Sequence, residues 1–171
     1  MPCPSPRPSR RSSINGRGEG QEEGGYAHIQ GTKPQTLAYG LNDSPAGLAA
    51  WIVEKYRTWS DCHGDVEVRY TKDELLTIVT LYWVTQTISS STRMYLENQR
   101  TLWVMSHDEK VPAPAGKALF PQEIARPPRE WGERSYHIRR WAEMPRGGHF
   151  AAWEEPELLA QEVRAFFRPF R

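Results

Sequence analysis

Pro145-Arg146-Gly147-Gly148-His149-Phe150-Ala151-Ala152-Trp153-Glu154-Glu155-Pro156 places a single histidine behind two glycines. Glycine takes positive φ and tight turns, so such a loop can hold an imidazole out at the end of a strand. Loops set on a rigid scaffold are where catalytic side chains concentrate. The segment before it, Tyr136-His137-Ile138-Arg139-Arg140-Trp141-Ala142, reads as a strand. The segment after it reads as an amphipathic helix from Glu155 to about Phe167, burying Leu159, Val163, Phe166 and Phe170. Acids in the first turn of that helix suit its dipole.

Working outward from the loop, Val111-Pro112-Ala113-Pro114-Ala115-Gly116 reads as an earlier strand, running into Phe120-Pro121-Gln122-Glu123. Pro127-Pro128 makes a turn, and Arg129-Glu130-Trp131 opens a brief helix. Strand, helix, strand, helix is the order of a parallel α/β sheet edge. Two parallel strands with one helix between them cannot cover both faces, so a larger sheet is implied.

Further upstream the chain reads as helical. Tyr26 to Asn42 is a loop or a short helix broken at Lys33-Pro34. Ser44 is a fitting N-cap and Pro45 a fitting first helical residue. Leu48, Trp51, Ile52, Tyr56 and Trp59 then recur at helical spacing. Ser60 to Tyr70 is a polar loop in which Asp61-Cys62-His63 is expected to be solvated. Thr71-Lys72-Asp73-Glu74 has the capping-box pattern. Leu75 to Thr87 is apolar nearly all round, which predicts a buried helix. Ser89-Ser90-Ser91 is expected to end or bend it, and Thr92 to Arg100, with Tyr95, is helical again.

Composition narrows the function classes. The 171 residues make room for one modest domain or part of a larger one, and 38% hydrophobic content with seven tryptophans can build a core. A net charge of +1 gives no support for a nucleic-acid or acidic partner. Cys3 and Cys62 lack metal-like spacing, and His28, His63, His107, His137 and His149 are scattered, so neither a disulfide framework nor a metal site is expected, and no cofactor. No apolar run is long enough to span a membrane. Residues 1–25, rich in Pro, Arg, Ser and Gly, can bury almost nothing and are expected to be a disordered tail or unrelated sequence from a misassigned start. Their early prolines forbid the amphipathic helix of a targeting peptide, so the cytoplasm is the expected location.

In α/β-hydrolases the catalytic residues follow in the order nucleophile, acid, histidine. Glu123 after one strand and His149, 26 residues later, after the next fit the second half of that order. The chain resembles the C-terminal portion of the microsomal-type epoxide hydrolases. The resemblance rests on Glu23-Gly24-Gly25-Tyr26-Ala27-His28-Ile29-Gln30 with Thr32-Lys33-Pro34, and on Leu41-Asn42-Asp43-Ser44-Pro45 with Gly47-Leu48-Ala49-Ala50. It continues in Leu81-Tyr82-Trp83, Ser91-Thr92-Arg93-Met94-Tyr95, Glu97-Asn98, Phe120-Pro121-Gln122-Glu123 and Gly147 through Leu159, covering residues 23–171.

The resemblance implies a partial α/β-hydrolase fold. A helical cap or lid over 26–100 would be followed by the last strand-helix-strand-helix of the parallel sheet over 101–171. It implies an epoxide substrate, small and apolar, and water as the second reactant. Tyr95 and, at the edge of the matching region, Tyr26 would donate to the epoxide oxygen as it opens. A phenol can donate to a developing alkoxide while remaining un-ionised at neutral pH. His149 would activate water to hydrolyse an ester intermediate, with Glu123 orienting the ring.

The family's nucleophilic aspartate sits in a turn of the type Gly-x-Asp-x-Gly. No such turn occurs here, because Asp43, Asp61, Asp65, Asp73 and Asp108 all fall in lid or linker sequence. The family's first strands, oxyanion-hole loop and membrane anchor have no counterpart either. The expectation is therefore a truncated chain, inactive alone. A non-catalytic interaction module, or another α/β-hydrolase of esterase or dehalogenase type, are the alternatives.

Overall fold

The computed structural model describes residues 23–101, 106 and 109–171. The tail expected over residues 1–25 lies outside these up to residue 22; Glu23 and Gly24 form a turn and Gly25 opens the first helix. The described residues form two compact units.

The first unit contains α1 (Gly25–Thr32), α2 (Pro34–Asp43) and α5 (Ile88–Arg100). The break expected at Lys33-Pro34 is present. Proline has no N–H to continue α1, and its fixed φ suits it to begin a new helix instead. Ala38, Leu41, Ile88 and Thr92 are buried where α1 and α2 pack on α5. The helix break expected at Ser89-Ser90-Ser91 falls earlier, at Gln86 (φ +54) and Thr87. The serines sit inside α5, and the hydroxyl of Ser90 finds a backbone partner there, donating to the Thr87 carbonyl at 2.9 Å.

The second unit contains α3 (Pro45–Trp59), α4 (Lys72–Thr85), β1 (Val111–Leu119), α6 (Arg129–Ser135), β2 (Tyr136–Glu143), α7 (Ala151–Glu154) and α8 (Pro156–Phe167). Ser44 caps α3, its hydroxyl accepting from Gly47 N at 3.0 Å. Thr71 and Glu74 exchange the two bonds of a capping box at the start of α4. β1 and β2 are parallel neighbours, and α8 packs against both. No helix among the described residues is long and apolar enough to cross a membrane.

Two burial expectations are overturned. In α4, Leu75 and Val79 are buried, but Leu76, Leu81 and Val84 are 56%, 58% and 65% exposed. An apolar circumference is covered only where a neighbour exists on every side, and α4 packs mainly on α3. In α8, Leu159 and Phe166 are half-buried, whereas Val163 is exposed, as is Phe170 in the short 3-10 turn Arg168–Phe170 that follows, because the two-stranded sheet is too narrow to cover the whole face.

Candidate active site

The sheet register brings Glu123 to His149. Leu119 pairs with Glu143 at the end of the ladder, and Met144 N donates to Leu119 O at 2.9 Å. Beyond the strands the two chains stay side by side: Gln122 N donates to Gly147 O at 3.1 Å, and Gln122 bridges Gly148 in parallel fashion. One residue further, Nδ1 of His149 lies 2.7 Å from Oε1 of Glu123. The same oxygen accepts from Ile124 N at 2.8 Å, which fixes the carboxylate. An ionised carboxylate only accepts, so this contact requires the tautomer with the proton on Nδ1, which leaves Nε2 as the acceptor nitrogen.

The glycines have separate tasks. Gly147 adopts φ +103, and a Cβ there would meet Cδ1 of Phe120 at 2.8 Å. At Gly148 a Cβ would meet the Trp59 carbonyl oxygen at 2.5 Å, so only a bare backbone can pass. His149 N then donates to Trp59 O at 2.9 Å, and the indole of Trp59 meets the imidazole edge-on, centroids 5.4 Å apart. Phe150 stacks on Tyr56 at 4.1 Å, which gives the loop an aromatic floor. An open apolar cleft of about 660 Å³ beside His149 is lined by Phe150, Trp153, Pro156 and Leu159 among others.

Beneath the loop lies a polar cluster that the sequence reading missed. Oδ2 of Asp61 accepts from Gly147 N at 2.9 Å, and Glu154 accepts from Asp61 N at 2.7 Å and from Phe150 N at 3.0 Å. Arg69 donates to the Asp61 carbonyl at 2.7 Å and pairs with Glu155 at 3.1 Å. Asp61-Cys62-His63 is therefore not a solvated trio. Cys62 is fully buried, its thiol donating to Arg57 O at 3.1 Å, and only His63 stays exposed. Both carboxylates of Glu154-Glu155 turn inward, which no local sequence signal marks.

Tyr26 on α1 and Tyr95 on α5 lie in the first unit, in edge-to-face contact with ring centroids 5.8 Å apart and planes at 80°. The four candidate residues are thus gathered as two pairs, one in each unit. Of the aspartates, Asp61 is occupied with Gly147 and Arg69, and Asp65 accepts from Glu67 N. Asp108 lies outside the described residues. Among the described residues no group of three or more His, Cys, Asp and Glu could hold a metal ion.

Parallel strands, an acid after the first and a histidine after the second define part of an α/β-hydrolase. The crystal structure of juvenile hormone epoxide hydrolase from the silkworm Bombyx mori is similar to this chain with a TM-score of 0.80 and 38% identity, over 88% of this chain and 40% of that one. No family model matches the chain. Its sequence is 48% identical over 153 residues to epoxide hydrolase 1 of Sus scrofa, covering 84% of this chain and 34% of that protein. It is 45% identical over 148 residues to a putative epoxide hydrolase of Stigmatella aurantiaca, covering 86% of this chain and 33% of that protein. The chain is homologous to epoxide hydrolases, and it spans about a third of the length of the curated relatives it matches.

Proposed function

We propose that residues 26–171 carry the cap tyrosines and the water-activating half of an epoxide hydrolase that opens small apolar epoxides to vicinal diols. The observation that carries this reading is the 2.7 Å contact between His149 Nδ1 and Glu123 Oε1, set at the ends of adjacent parallel strands. A carboxylate beside Nδ1 orients the ring and stabilises the imidazolium that forms when Nε2 takes a proton from water.

The reaction divides into two steps. An aspartate attacks an epoxide carbon, the carbon–oxygen bond opens, and a phenol proton passes to the released oxygen, leaving an ester. Tyr95 and Tyr26 are assigned that donation, which stabilises charge as it develops. Water deprotonated by His149 then attacks the ester carbonyl, the acyl C–O bond breaks, the diol leaves carrying the hydroxyl proton and the aspartate is regenerated as carboxylate, while the imidazolium proton returns through solvent to the phenolate; Glu123 holds the ring throughout. The attacking aspartate is assigned to sequence beyond these 171 residues, since no Gly-x-Asp-x-Gly turn occurs among them. The apolar lining beside His149 favours an apolar substrate.

The test is complementation. The 171-residue chain alone is expected to give no diol from an aryl epoxide. Placing before it the part of the pig enzyme that it does not match is expected to restore turnover, and His149→Gln to remove it. A folded chimaera without turnover, or one indifferent to His149→Gln, would overturn the proposal.

A further inference from the structure

We infer that Asp61 and Glu154 are positioning residues for His149, acting through the backbone of its loop. The inference rests on the reading of His149 as the base. Three of the four amides from Gly147 to Phe150 are bound to one bracket. Gly147 N reaches Asp61 Oδ2 at 2.9 Å, His149 N reaches Trp59 O at 2.9 Å, and Phe150 N reaches Glu154 Oε1 at 3.0 Å. The other oxygen of Glu154 takes Asp61 N at 2.7 Å, so this carboxylate ties the bracket to the loop it holds.

The bracket is itself held. Arg69 Nε donates to the Asp61 carbonyl at 2.7 Å, and its guanidinium lies 3.4 Å from Asp61 Oδ2 and 3.1 Å from Glu155 Oε1. Arg146, just before the glycines, also pairs with Glu155 at 2.9 Å. Glu154 is only 8% exposed, and its two oxygens face two backbone N–H groups on segments 89 residues apart, Asp61 and Phe150. The hydrogen bond to Glu123 tolerates little movement: a 1 Å displacement of a catalytic group can lose about a hundredfold in rate.

Glutamine in place of Glu154 keeps the size but offers one acceptor, turning an NH2 toward an N–H. Gly147 N and Arg69 both reach the same oxygen of Asp61, Oδ2, which asparagine would still present, so alanine is the substitution that removes this acceptor. The experiment is proton–nitrogen NMR of the His149 ring in the 171-residue chain, read beside the amide peaks of β1 and β2. The unsubstituted chain is expected to show a strongly deshielded Nδ1 proton and the Nδ1–H tautomer. Glu154→Gln and Asp61→Ala are each expected to abolish that proton and mix the tautomers while the strand peaks persist. Glu162→Gln, at an ion pair on α8, serves as a control that leaves the ring signals unmoved.

Ring signals unchanged in folded Glu154→Gln and Asp61→Ala would overturn the inference. If neither variant folds, amide exchange in the unsubstituted chain decides. Slow exchange at Gly147, His149 and Phe150 supports the bracket, and exchange as fast as in an open loop overturns it. Failure of the underlying reading looks different: the deshielded proton would be missing from the unsubstituted chain, or would survive Glu123→Gln.

Discussion

Trp59 and His149 meet twice: the Trp59 carbonyl accepts the His149 backbone N–H at 2.9 Å, and the two rings meet edge to face at 77°. The last residue of α3 therefore sets both the height of the histidine loop and one wall beside the imidazole. Residues 90 positions apart act as one piece because the intervening Gly148 lets two backbones touch.

That contact makes Gly148→Ala a sharp test of the loop. Its new Cβ would lie 2.5 Å from the Trp59 carbonyl oxygen and 3.0 Å from Glu154 Oε1, and the first of these is backbone that cannot swing aside. Forced overpacking of this kind costs about 1–3 kcal/mol. Urea unfolding should show that loss, and His149 ring signals should shift in the folded fraction. A variant as stable as the parent would mean the Trp59–Gly148 approach is looser than described.

A complemented enzyme should separate the two chemical steps. If His149 is the base proposed above, His149→Gln leaves an attacking aspartate untouched but removes the group that activates water, whose loss slows reactions by roughly 10²–10⁴-fold. Mass spectrometry after incubation with epoxide should show protein heavier by one substrate molecule. Glu123→Gln should give a smaller build-up, since the base survives with a less well held ring. An unmodified mass in both variants would remove His149 from the hydrolytic step.

Stability at acid pH should report the fastening of α8 to the sheet. Arg140 on β2 donates to both oxygens of Glu162 at 2.6 and 2.8 Å, and those hydrogen bonds hold the Glu162 carboxyl below its ordinary range. A carboxyl whose folded value is depressed adds stability above its unfolded value, and that addition is lost as pH falls through the lower folded value. Glu162→Gln should therefore be less stable than the parent at pH 7, with the gap closing below about pH 4. Urea midpoints at both pH values check this; a gap that widened on acidification would contradict the sign.

What could be read in advance was whatever lies close in sequence or repeats along it. Ser44-Pro45 and Thr71 to Glu74 announced helix starts because capping needs partners only three residues away. Glu123 and His149 were legible because parallel strands of similar length bring successive strand ends together. Asp61 and Glu154 were not, since their partners lie 86 and 93 residues away and nothing local marks an inward carboxylate. The circumference of α4 was misread for a different reason. Periodicity reports how much apolar surface a helix has, while Leu81 and Val84 are exposed because cover depends on which neighbours are present.

The tyrosine pair offers the test that separates an epoxide hydrolase from other hydrolases of this fold. Tyr26 and Tyr95 touch ring to ring, centroids 5.8 Å apart, so phenylalanine at either position keeps the aromatic contact and deletes only the hydroxyl. At the exposed Tyr95 a change of that size shifts stability by about 0.5 kcal/mol or less. Removing one preorganised donor to developing negative charge, by contrast, lowers rates by roughly 10²–10³-fold. In a complemented enzyme, single-turnover ester formation should fall by that factor in Tyr95→Phe while the hydrolysis of preformed ester stays unchanged. Tyr26→Phe should follow the same pattern, and the double variant should lose less than the product of the two if both phenols serve one oxygen. Ester formation that is unchanged in both variants would assign the chain to an esterase or dehalogenase type, in which no cap phenol is needed.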